Sequence, residues 1–166
     1  MTMPTQLKQW IQSISFRELT LSVDLLITGF IGYFYLQHLL QASPEQLSSA
    51  SWVSGLLLEV IIYSIVLMVC SQILLAFISD KELEQPLDVR EKQINLIGYK
   101  YTTYILQVGI VLAIIQYQVE AQLGIILIGK NVPFLTLHIM VCAFIIAEIV
   151  NYTTQLFKGR TGNIYE

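Results

Sequence analysis

Apolar residues in this chain gather into four long stretches, at 19–40, 52–78, 97–118 and 132–157, separated by short polar connections. A hydrocarbon core about 30 Å thick takes roughly 20 helical residues to cross at about 1.5 Å per residue. Each stretch is long enough. The pattern predicts an all-α membrane protein, a four-transmembrane-helix bundle forming a single integral membrane domain over 1–166. The second stretch exceeds the bilayer thickness and must tilt or emerge from it.

The polar punctuation refines this picture. Between 4 and 17, Leu7, Trp10, Ile11 and Ile14 recur at helical spacing among Gln and Ser, which predicts an N-terminal amphipathic helix lying in the interface. Ser43-Pro44-Glu45 reads as a cap, a first-turn proline and an acid at the positive end of a short helix. Asp88 followed by Glu91 matches the logic of a capping box and predicts that the third helix starts well before its span. Asn131 and Pro133 read as a cap and first-turn proline for the fourth. The patch 125–128 is too short to cross and fits the outer interface. The first apolar run is too long for a signal peptide and has no small-residue cleavage site after it, so it reads as a retained span.

Composition agrees with lipid as solvent. Only 13% of residues are charged, against about 25% in soluble domains, and the mean hydropathy is +0.64. A net charge of −3 with no basic run excludes a nucleic-acid footprint. The two cysteines, Cys70 and Cys142, both lie in apolar stretches without a C-x-x-C motif, and read as small hydrophobic residues.

Charge also orients the chain. Lys8, Arg17, Lys81, Arg90, Lys92, Lys100, Lys158 and Arg160 fall on one side, and of the nine basic residues only Lys130 falls on the other. The positive-inside rule puts both termini and the second connection in the cytoplasm.

Ionisable residues inside spans are expensive and so mark candidate sites. On the cytoplasmic side Asp24, Glu148 and Lys100 can converge, either as a structural charge pair or as a proton- or cation-coupled site. On the outer side Glu59, His138 and His38 can form a second cluster, for which hydrogen-bonded helix packing outweighs metal or haem ligation. Metal-ligand spacing such as H-x-x-E-H is absent, and no metal or cofactor is expected. Asp88, Arg90 and Glu91 form a cytoplasmic patch suited to docking a partner, or simply to capping the helix.

The run Asp88-Val89-Arg90-Glu91-Lys92-Gln93-Ile94, leading directly into an apolar span, resembles a family of uncharacterised, small bacterial four-helix inner-membrane proteins. They carry a D-E-R-[DE]-x-x-I-like motif before the third helix and an A-E-[IL]-V-like step in the fourth. Here the matching pieces of the second motif are Ala147-Glu148-Ile149-Val150, followed by Lys158-Gly159-Arg160. The resemblance covers about 88–162 and departs from the pattern at Val89, where the family tends to have an acid. It implies topology and no activity.

With no Ser/His, H-E-x-x-H or redox-cysteine constellation, the sequence points away from an enzyme. It predicts a non-enzymatic regulatory, sensing or partner-binding membrane component. The alternative is an oligomeric transporter or channel subunit using an intramembrane carboxylate. The expected partners are the lipid bilayer, a second copy of the chain, and a cytoplasmic or membrane protein.

Overall fold

A computed structural model describes residues 15–78, 87–123 and 132–161. The described residues are helical throughout: α1 (Phe16–Gln41), the short α2 (Pro44–Ser48), α3 (Ala50–Ile78), α4 (Val89–Leu123) and α5 (Leu135–Thr161). The four long helices are each apolar enough to cross a membrane, and the chain buries at most 22% of the apolar stretch of any of them. Phe77 is 84% exposed and Leu40 86%. An apolar surface of this extent fits contact with lipid or with other apolar helices.

Local signals set the helix ends. Ser15 caps α1 by accepting from Glu18 N–H. Ser43 and Gln46 form a reciprocal capping box on α2, with Pro44 in its first turn. At α4 the box is half made: the Glu91 carboxylate accepts from Asp88 N–H at 3.1 Å, while Asp88 bonds only to the neighbouring Val89 N–H at 2.6 Å. Helix α4 starts eight residues before the apolar stretch, as the cap predicts. At α5 the expectation needs correction. Pro133 lies in a turn before the helix, and Phe134, at φ 57°, provides the carbonyl that accepts from Leu137 and His138. The proposed interfacial helix, apart from its end, and the patch 125–128 fall outside the described residues.

The long helices pack in the order α3, α1, α5, α4, and the edge helices α3 and α4 do not pack extensively on each other. Helix α5 is the hub. In lipid, burying apolar surface between helices gains little, so close contact has to hold them. On α4 the buried seam is Ile94, Gly98, Thr102, Gly109, Ala113 and Gln116, repeating every three to seven residues along one face. A methyl group added at Gly109 would overlap Ala143, and one at Gly98 would overlap Asn151 and crowd Gln155. On α1, Gly32 faces Ile145, whose methyl would lie 2.9 Å from an added Cβ. A separate apolar cluster of Ile31, Tyr35, Leu56 and Val60 joins α1 to α3.

This seam makes a stability prediction. Gly109→Leu should destabilise the protein by about 1–3 kcal/mol through overpacking. Gly29→Leu, where nothing lies within 4 Å, should stay near wild type. Unfolding in mixed micelles by stepwise addition of a denaturing detergent measures both.

Candidate functional site

Polar side chains collect at two depths. The first is the charged end, where α1 and α4 start and α5 finishes. Arg17 reaches across all three helices: Nη2 donates to Gln155 Oε1 at 3.1 Å and to the Glu91 carbonyl at 3.2 Å, and Nη1 lies 3.5 Å from the Glu91 carboxylate. Gln155 in turn donates to Asn151 at 3.0 Å, one turn deeper along α5. Both are 5% exposed, so each depends on these bonds for satisfaction. Glu18 pairs with Arg160, and Arg90 Nη2 donates to the Gly159 carbonyl at 3.1 Å. Deeper still, the Thr102 hydroxyl donates to Gly98 O at 3.1 Å and approaches Ala147 O at 3.5 Å.

The two motif segments are therefore one assembled surface. Ile94, Gly98 and Thr102 seat against Ala147, Asn151 and Gln155, and Arg90 closes over the glycine of the tail. Asp88, Arg90 and Lys92 remain exposed, and Glu91 is half turned inward by Arg17.

The second depth holds the intramembrane acids. Asp24 on α1 and Glu148 on α5 lie close enough to act on one another electrostatically, and Asp24 Oδ1 is buried without a hydrogen-bond partner. The Tyr152 hydroxyl, one turn from Glu148, is in side-chain hydrogen-bonding reach of it. Lys100 does not join them. It is exposed, with its ammonium 5.9 Å from the centre of the Tyr104 ring. Two like acids within electrostatic reach of each other inside apolar helices are a candidate functional site.

Toward the opposite end, Tyr35 and His138 form a buried pair with Tyr35 Oη 2.6 Å from His138 Nδ1. With the phenol donating, Nε2 carries the ring proton; it makes no hydrogen bond of good geometry, although the Pro133 backbone lies nearby. His38 and Glu59 stand apart from this pair. His38 bonds to the Phe34 carbonyl of its own helix at 2.8 Å and packs on the Phe34 ring. Glu59 is exposed on α3. Among the described residues no three His, Cys, Asp or Glu side chains group as metal ligands. A cleft of about 640 Å³ opens between the end of α4 and the start of α5, lined by Tyr117, Glu120, Phe134 and Thr136 among others.

Sequence reasoning passed over Arg17, Asn151, Gln155, Tyr35 and Tyr152. A signal for the α5 residues was present: Glu148, Asn151 and Gln155 recur at helical spacing within an apolar stretch, and so share one face. Arg17 carried no signal beyond its charge, because its partners lie on helices remote in sequence. No family model, curated protein or solved structure matches this chain.

The geometry separates structural from peripheral charges. Arg17→Ala should cost about 2–4 kcal/mol, because it strands a buried Gln155 and loosens Glu91. Lys100→Ala should change stability by less than about 0.5 kcal/mol. Tyr35→Phe should cost about 1–2 kcal/mol by removing the partner of a buried imidazole. Detergent unfolding of purified variants, followed by circular dichroism, distinguishes the three.

Proposed function

We propose that this chain is a non-enzymatic component of a bacterial inner membrane, with both termini and the charged end in the cytoplasm, that regulates, senses or binds a protein partner. The observation that supports this reading is the assembly of the two motif segments into a single locked surface. Arg17, Gln155, Glu18 and Arg160 use their charge and hydrogen-bonding capacity within the chain, so they hold the helices in place. Asp88, Arg90 and Lys92 stand exposed on that base, and Asp88 and Arg90, held by Val89 N–H and the Gly159 carbonyl, can meet a partner at low ordering cost. The resemblance of the same two segments to small four-helix membrane proteins is in keeping with the four-span topology.

A second reading rests on the Asp24–Glu148 pair. Two neighbouring acids inside apolar helices suit proton- or cation-coupled transport by an oligomeric subunit. Under this reading the exposed patch is only a helix start.

Three measurements test these assignments. In a cysteine-free background (Cys70→Ser, Cys142→Ser), Lys92→Cys should stay protected from a membrane-impermeant maleimide in intact cells and Glu45→Cys should react; the reverse pattern contradicts the orientation. A photo-crosslinker at position 92 should trap a defined protein, with the adduct lost in Arg90→Glu but retained in Lys100→Ala. In proteoliposomes, wild type and Glu148→Gln should both leave proton and cation flux at the level of empty vesicles. A selective loss of wild-type flux in that variant, with folding preserved, moves the assignment to transport.

A further inference from the structure

Glu59 is a carboxyl group for which no partner stands among the described residues. It is exposed, and among the described residues it makes no hydrogen bond or ion pair. It lies about 13 Å from the Ala50 end of α3 at 1.5 Å per residue, well inside the apolar stretch of that helix. An acid facing lipid at that depth costs several kcal/mol unless another group hydrogen-bonds it.

The surrounding surface is shaped for a helix. Ser51, Gly55 and Glu59 follow one another at every fourth position, and all three are exposed. Nothing lies within 4 Å of where a Gly55 Cβ would stand, so the backbone itself is open to close approach. Val66 and Cys70, about two and three turns further on, continue the same face and are also exposed. Helix α3 uses a different side, Val53, Leu56 and Val60, for its internal contact, and it stands at the edge of the row.

We infer that this face of α3 is the interface of a homodimer, in which Gly55 packs on Gly55 and the two Glu59 carboxyls hydrogen-bond each other. A second copy is the occupant that the depth argument selects. Two copies inserted in the same direction are related by a two-fold axis along the membrane normal, which sets every residue of α3 opposite itself at equal depth. Glu59 then meets an identical group at its own level. A carboxyl group in its acid form has one O–H donor and a carbonyl acceptor, so two of them facing each other close two hydrogen bonds and leave no net charge in the lipid. The small residues one and two turns away let the helix backbones come near enough for those side chains to reach.

Cys70 supplies a native probe, since the same axis brings it opposite its copy. The test uses the full chain in vesicles of phosphatidylethanolamine and phosphatidylglycerol, treated with a short membrane-permeant bis-maleimide. A cross-linked dimer is expected that survives Cys142→Ser and disappears in Cys70→Ser. Glu59→Gln, whose amide can pair in the same way, should cross-link to within about twofold of wild type. Glu59→Leu and Gly55→Leu should each reduce dimer by about tenfold, the scale of one interhelical polar or close-packed contact. Neither replaced side chain touches its own fold, and unchanged helical circular dichroism checks this. Wild-type levels of Cys70 cross-link in Glu59→Leu and Gly55→Leu would overturn the inference. So would a monomeric wild type, or a dimer that cross-links only through Cys142.

Discussion

The closeness of α4 to α5 is the contact on which the rest of this structure depends. Between helices in lipid there is no gain from hiding apolar surface, so the driving force has to come from van der Waals contact and hydrogen bonds. Gly98 and Gly109 give α4 a groove that α5 fills with Asn151, Gln155 and Ala143. Without that approach Thr102 could not reach the Ala147 carbonyl, and Arg90 could not reach Gly159. The pair then presents Gln155 and Glu91 together, which allows Arg17 to tie in α1.

From this follows a gradient of function along the bundle. At the charged end Arg17, Glu18, Asn151, Gln155 and Arg160 find partners in the chain, and the helices are tied there. At mid-depth the acids Asp24 and Glu148 lie within electrostatic reach of each other, with no salt bridge to either among the described residues, and Tyr35 with His138 forms a polar contact in an apolar setting. At the edge, α3 keeps one carboxylate outward. Locked, poised and unpartnered polar groups thus occupy different places. That division supports reading the exposed charged surface as a recognition face, the acid pair as the transport alternative, and the edge carboxylate as a contact between copies.

Much of the architecture was legible because the bilayer imposes a length on apolar stretches that chance rarely supplies. Ser43 and Asp88 marked helix starts through the chemistry of unpaired backbone N–H groups, and both helices begin where those caps stand. Gly32, Gly98 and Gly109 stand at close helix contacts, whereas Gly29 and Gly55, the same residue in equally apolar stretches, meet nothing among the described residues. Composition cannot say which side of a helix finds a neighbour. The same gap explains Lys100: its depth allowed a pair with Glu148, but its side of α4 turns it onto Tyr104 instead. Pro133 misled for a local reason, since Phe134 takes the left-handed turn that starts α5 after it. Arg17, which bridges helices far apart in sequence, could be found only in three dimensions.

The seam and the polar network occupy the same space at Gly98, where the backbone of α4 rests on the Asn151 side chain. A double-mutant cycle of Gly98→Ala and Asn151→Ala therefore reaches the central claim directly. Each single variant should be destabilised in micelle unfolding, and the double variant should recover at least about 1 kcal/mol relative to the sum, because removing the amide makes room for the added methyl. Strict additivity of the two losses would contradict the account.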